Sequence, residues 1–307
     1  MIALSRRQFL GSAAAVLAAT GVRAMDPITR IGPPRLRLSL AAYSFRQFFR
    51  DGRDSGKSQI PAARQIDLFQ FIDYCAEHGC DGTELTSYYF PKEFDDAYLL
   101  NLRRHAFLRG VSVSGTAVGN TFTLPAGEKR QREIAGVKKW IEHARVLGAP
   151  HIRVFAGNLE GQPLADAKRN CIAALEECAD AAGQAGVFLG IENHGGIVAE
   201  PGDLLDIIKA VKSPWVGINL DSGNFHSADP YADLAVCAPY AVNVQVKVEI
   251  RRKDAQAEPS DLPKLVKILR EARYQGWVAL EYESAEDPYV AVPRHLQALA
   301  PLLRAAS

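Results

Sequence analysis

The sequence predicts a single (β/α)8 barrel, and three observations carry that expectation. Eight short apolar runs rich in β-branched residues alternate with longer stretches whose apolar residues recur every three or four positions. No break in composition divides the chain, and no G-x-G-x-x-G turn follows any run, which disfavours an open dinucleotide-binding sheet. Residues 36–307 also match the typical barrel length of about 250 residues.

The N-terminal residues 1–24 stand apart from this pattern. In "SRRQFLGSAAAVLAATGVRA", Arg6 and Arg7 precede Phe9, Leu10 and an apolar run that ends in small residues. This reads as a twin-arginine export signal cleaved after Ala24, too short in its apolar part to act as a stop-transfer helix. Residues 25–35 form a Pro-rich linker, and the expected location is the periplasm. No other stretch reaches about 18 uninterrupted apolar residues, so no membrane association is expected after cleavage.

The strands are expected at "LRLSLAAYSF" from Leu36, "CDGTELT" from Cys80, "VSVSGTAV" from Val111 and "HIRVFAG" from His151. The second four are "VFLGIENH" from Val187, "VGINLDSGN" from Val216, "AVNVQVKVE" from Ala241 and "WVALEYE" from Trp277. Helices are expected at stretches such as "IDLFQFIDYCAEHG", "EIAGVKKWIEHARVLG" and "LVKILREARYQG", closed by glycine. Pro201 and Asp203 open the helix after the fifth strand. Arg46 to Arg64 reads as a long polar loop partly covering the barrel mouth.

Charge and cysteine exclude several classes. A formal net charge of +1 without long runs of one sign lacks the footprint of a nucleic-acid binder. Cys75, Cys80, Cys171, Cys178 and Cys237 are odd in number and lack C-x-x-C spacing. Cys171 and Cys178 lie roughly 10 Å apart along a helix, too far to bridge. Cys75 and Cys80 flank a helix-to-strand turn that a bridge would span, but buried free thiols are the reading taken.

In a barrel, chemistry belongs at the C-terminal ends of the strands. Those ends carry Glu192, Asn193 and His194 on strand five, Asp221 on strand six, Asn243, Gln245 and Lys247 on strand seven, and Glu281 and Glu283 on strand eight. Side chains alternate faces with a period of two. Asn243, Gln245 and Lys247 therefore share one face, as do Asn219 and Asp221, and Glu281 and Glu283. Helices cover the outside, so the polar face is the inside. Three ionised carboxylates, Glu192, Asp221 and Glu281, in one low-dielectric mouth would repel each other and lose hydration. A divalent cation resolves this as their common partner, although a single acid at a strand end is more often a cap, as Glu283 is for the last helix.

The motifs "GIENHGG", "NLDSGN", "VQVKVE" and "GWVALEYE" resemble the xylose isomerase-like barrel superfamily of sugar epimerases and isomerases over the whole chain after the leader. The resemblance implies a divalent ion held by Glu192, Asp221, Gln245 and Glu281. Gln245 stands where the family commonly has His, as in its hydroxypyruvate isomerase branch, and Asn224 stands in the His place of D-x-x-H. An all-oxygen ligand set favours Mn2+ or Mg2+ over Zn2+ or Co2+. The implied chemistry is proton transfer next to a carbonyl through an enediolate, with Glu192 and Glu281 as bases doubling as ligands. His194 shares the parity of Glu192 and is read as an auxiliary base. Lys247 is read as a donor to a substrate oxygen, against the alternative of pairing Glu249 or Asp254. Glu84, Asn224 and His226 are assigned to substrate binding, with Tyr43, Phe45 and Phe155 as candidates for an apolar wall.

His78, His105, His143 and His295 lie in helical segments and read as structural, while His151 opens strand four at the far end of the barrel. The acidic loop "SAEDP" argues against a phosphate site, and the Arg251, Arg252, Lys253 run reads as a solvated loop. The expected substrate is an unphosphorylated keto sugar, inositol-type ketone or small hydroxy-keto acid; homo-oligomerisation stays open. Two other readings stand beside this one: a metal-dependent lyase eliminating β to a ketone, such as 3-keto-glycoside cleavage, and a non-catalytic periplasmic sugar binder. A nuclease needs a His-rich metal cluster and a basic surface, and the sequence has neither.

Overall fold

The computed structural model describes residues 25–53 and 60–305, so the leader read at residues 1–24 lies outside the described residues. In chain order the strands are β1 (Arg35–Ala41), β2 (Gly82–Thr86), β3 (Ser112–Ala117), β4 (His151–Val154), β5 (Phe188–Glu192), β6 (Val216–Asp221), β7 (Ala241–Val246), β8 (Glu249–Arg251), β9 (Ala257–Pro259) and β10 (Gln275–Leu280). Eight of them pair in parallel and close in the order β1-β10-β7-β6-β5-β4-β3-β2. Each predicted strand is found. The pair β8–β9 is an unpredicted antiparallel hairpin on the loop after β7. Of the basic run expected to be solvated, Arg251 and Lys253 are exposed, and Arg252 pairs with Glu258 of the hairpin at 2.9 Å.

One helix follows each barrel strand: α1 (Leu68–Glu77), α2 (Asp96–Leu108), α3 (Glu128–Leu147), α4 (Leu164–Ala185), α5 (Pro201–Ala210), α6 (Pro230–Cys237), α7 (Leu262–Glu271) and α8 (Pro288–Arg304). Their starts follow from sequence. Asp67 and Gln70 form a reciprocal capping box on α1, and Asp95, Asp229, Asp261 and Asp287 each accept a first-turn N–H. Pro201, Pro230 and Pro288 occupy first positions, where no N–H is needed. Asp287, not Glu283, caps the last helix. None of the helices among the described residues is long and apolar enough to cross a membrane.

The core forms where outward-facing aliphatics such as Leu189, Ile191, Ile218, Leu220, Val244 and Val246 meet the helices. All five cysteines are buried and free, as expected. Phe45 belongs to this core rather than to a ligand wall: it packs on Phe71, Tyr74 and Tyr289 at centroid distances of 6.0, 4.8 and 5.0 Å. The expected mouth-covering loop begins with the buried Phe48 and Phe49; its residues 54–59 lie outside the described ones.

The barrel interior is polar along its depth. At its lower end Ser39 and Ser114 share a 2.7 Å hydrogen bond. His151 also points inward here, its Nε2 3.9 Å from Glu84 Oε2, so it is less remote from the polar interior than its position at the start of β4 implies. Gly115 makes room for it: a Cβ at that position would overlap the imidazole ring.

Gly115→Ala is therefore expected to destabilise the fold by about 2 kcal/mol or more, read from the urea midpoint. Burial lowers the His151 imidazole from its ordinary value to about 4. A depressed histidine contributes stability that is present above the unfolded value near 6.5 and lost as pH falls through about 4. The urea midpoint should decline over that window, and His151→Gln should flatten that part of the profile.

Candidate active site

At the C-terminal rim, strand register brings the predicted residues together. Glu192 is level with Asn219, Asn219 with Asn243, and Asp221 with Gln245. Glu281 follows β10 directly, and its N–H donates to the Val246 carbonyl at 2.9 Å, which sets it beside Lys247. Four elements thus aim polar side chains at one point.

Lys247 occupies that point. Its ammonium lies 3.3 Å from Asp221 Oδ2 and forms ion pairs with Glu281 and Glu283. Burial works against its charge, but Asp221, Glu281 and Glu283 outweigh burial and hold it well above the ordinary lysine range. Its expected alternative partners play no part: Glu249 accepts instead from Ser284 Oγ at 2.6 Å. Burial pushes the Asp221 carboxyl up to about 7, against the pull of Lys247. Burial likewise raises Glu281.

Glu192 has a different environment. Arg153, inward-facing on β4, places Nε 2.8 Å from Glu192 Oε2. His194 Nδ1 lies 3.0 Å from Oε1, and Asn224 Nδ2 donates to the same oxygen at 2.9 Å. Burial alone would raise this carboxyl, but Arg153 and His194 together hold it below the usual range. The bond to Glu192 in turn raises the His194 imidazole. The Arg153 guanidinium stacks over Phe155 at 4.0 Å, and the His194 ring sits 4.6 Å from the same phenyl, so Phe155 is a wall of the site.

Beneath the rim runs an amide ladder. Asn219 Nδ2 donates to Gln245 Oε1 at 2.7 Å, and Asn243 Nδ2 donates to Asn219 Oδ1 at 2.7 Å and to Glu84 Oε2 at 3.0 Å. Gln245 Nε2 donates to Glu84 Oε1 at 2.7 Å and reaches Glu281 Oε1 at 3.5 Å. Burial and the nearby Glu281 push the Glu84 carboxyl up to about 8. Glu84, assigned by sequence to a sugar hydroxyl, is fully buried here and bonded to the amides of Asn243 and Gln245.

The residues assigned as metal ligands meet, but not as an open donor set. Each rim carboxylate faces a side-chain cation, and the Gln245 carbonyl oxygen is taken by Asn219. Among the described residues no group of three or more His, Cys, Asp or Glu has metal-binding geometry. In this arrangement the side chains fit a lysine ammonium, not a divalent ion with Gln245 as its fourth ligand.

Two cavities adjoin the hub. One, of about 280 Å³, is bounded by Lys247, Glu283, Asn224, His226 and the hairpin residues Ile250 and Arg251. The other, of about 290 Å³, is bounded by His194, Gly195, Glu200, Asn224 and His226. Asn224 and His226, assigned by sequence to substrate binding, line both cavities. Glu281 and Glu192 sit just below, bonded to the lining residues Lys247 and Asn224 respectively. Arg153 escaped the sequence reading, although "HIRV" gives it inward parity with His151. Glu283 was read as a cap, and only the closed barrel shows it on Lys247.

Removing Arg153 would leave Glu192 buried beside no strong cation. Arg153→Met is expected to cost about 3–5 kcal/mol in chemical denaturation. The loss should be smaller in the double variant that also carries Glu192→Gln, because the uncompensated charge is then absent.

A profile described as "Xylose isomerase-like TIM barrel" matches residues 72–299. No curated protein matches the chain by sequence. Among solved structures, D-psicose 3-epimerase from Clostridium cellulolyticum H10 with D-tagatose superposes with a TM-score of 0.68 at 14% identity, over 87% of this chain and 98% of that one. 3-Keto-D-glucoside 4-epimerase from E. coli gives 0.64 at 17% identity, over 87% and 99%. A xylose isomerase-like TIM barrel protein from Mycobacterium smegmatis, in complex with magnesium, gives 0.65 at 19% identity, over 88% and 96%.

Proposed function

The chain belongs to the xylose isomerase-like TIM barrel family, and on that premise we propose that it is a sugar isomerase or epimerase acting by proton transfer beside a carbonyl. One observation carries the proposal. Glu192 and Glu281, on strands separated by β6 and β7, are driven apart in acidity: Glu192 is held ionised by Arg153, while Glu281 is raised by burial. Two carboxyl groups whose environments shift their acidity in opposite directions, each bonded to a residue that lines the adjoining cavities, suit an acid–base pair.

Glu192 takes the proton from the carbon next to the carbonyl, and the freed electron pair moves onto the carbonyl oxygen as an enediolate. Glu281, in its protonated form, returns a proton to carbon. Lys247 donates a hydrogen bond to the oxygen that gains charge. Asn224, His194 and His226 contact substrate hydroxyls from the two cavities. In the reading built on resemblance, Mn2+ or Mg2+ would supply the charge at that oxygen. Because the donors present already hold side-chain cations, no step here runs through a metal.

The substrate class is an unphosphorylated keto sugar, a polyol-derived ketone or a small hydroxy-keto acid. The resemblance in fold to structures named as D-psicose 3-epimerase and 3-keto-D-glucoside 4-epimerase supports it. Export through the twin-arginine route to the periplasm belongs to the same proposal, since that compartment supplies few phosphorylated sugars. A second reading, a sugar binder without turnover, is favoured by the side-chain cation that each rim carboxylate already contacts.

Incubation with a panel of keto sugars in D2O, read by NMR and mass, should show deuterium at a carbon next to the carbonyl. Glu192→Gln and Glu281→Gln should each slow that exchange by about 10²-fold or more. Saturable sugar binding with no exchange for any ketose would instead establish the binder.

A further inference from the structure

We propose that the Lys247 ammonium is the resident cation of this barrel, standing among Asp221, Glu281 and Glu283 in the place a divalent metal would take. The inference concerns the site of the proposed function but needs no turnover to be true.

Four independent features of the chain converge on it. The ammonium contacts three carboxylates from two strand ends, which is the coordination task that an ion would otherwise perform. The path of the side chain is built in: a Cβ on residue 223 would fall 2.6 Å from Lys247 Cγ and 2.8 Å from its Cβ, so glycine there admits the lysine stem. The Lys247 N–H donates to Ser222 Oγ at 2.8 Å, which fixes the start of that path from the same turn. Gln245, the fourth expected ligand, faces Glu84 and Glu281 as a donor, and its oxygen accepts from Asn219. A glutamine used this way strengthens the carboxylate floor and contributes nothing to an ion.

The two arrangements compete for the same oxygens. A divalent ion bound by Asp221 and Glu281 would need the carboxylate oxygens that the Lys247 ammonium now contacts. Lys247 would have to leave, and Glu192 would have to share Arg153 with the ion. The side-chain cation thus holds the place by contacting the carboxylates an ion would need.

The test uses the full-length purified protein after chelator treatment and dialysis, with Mn2+ or Mg2+ as the only added ligand. Bound metal and the thermal midpoint are measured in wild type, Lys247→Ala and Gly223→Ala. Wild type should hold well under one metal per chain, with its midpoint unmoved by 1 mM Mn2+. Lys247→Ala should start less stable, then bind about one Mn2+ per chain and rise by on the order of 5 °C at 100-fold excess over Kd. Gly223→Ala, which displaces the lysine stem without removing its charge, should gain a weaker Mn2+ response. Stoichiometric Mn2+ or Mg2+ in wild type overturns the inference, and so does a folded Lys247→Ala that takes up no metal. If Lys247→Ala does not fold, the wild-type metal content decides alone. A failure of the deuterium assay leaves all these readouts unaffected.

Discussion

The constraint on which the rest depends is charge neutrality inside a closed barrel. Glu84, Glu192, Asp221 and Glu281 are all buried within one small volume. An unpaired carboxylate there would cost several kcal/mol, and four would be incompatible with a stable fold. The protein answers with two devices. Arg153 and Lys247 supply positive charge at the rim, and burial raises Glu84 toward its neutral form below. Placement of the other polar residues follows from keeping this set satisfied.

The strand architecture does the placing. Parallel strands offer inward side chains at every second position, and register decides which of them share a level. Asn219, Asn243 and Gln245 use their amides to link three strands and to hold the Glu84 carboxyl from both of its oxygens. Amides suit this task because each carries both donor and acceptor, so one row can feed the next without added charge. The ladder lies directly beneath the rim and links its strands.

Chemistry becomes available because the two halves of the rim differ. On the β4–β5 side a guanidinium stacked on Phe155 keeps Glu192 ionised. On the β7–β10 side three acids share one lysine, and burial raises Glu281 against the pull of that lysine. The β8–β9 hairpin walls one of the two adjoining cavities, and Asn224 with His226 divides them. In the proposed function, a small polar molecule entering there meets the two carboxyl groups and the lysine donor.

Much of this was legible in the one-dimensional pattern. The eight-fold alternation gave the barrel, parity gave the polar interior, and "GIENHGG", "NLDSGN", "VQVKVE" and "GWVALEYE" gave the side chains that converge. Those features depend on local periodicity, which survives without knowledge of distant partners. Which cation meets which acid does not. Arg153, Gly223 and Glu283 looked ordinary in their own segments and acquire meaning only when closure brings β4, the β6 turn and the β10 end around Lys247. The partners of Glu84 and Gln245 were hidden for the same reason, because the bonds between them join residues far apart along the chain. The sequence by itself determined the barrel and its polar lining; the tertiary structure alone decided that the lining closes on a lysine, since electrostatic pairing is a property of distance in space and not of position along the chain.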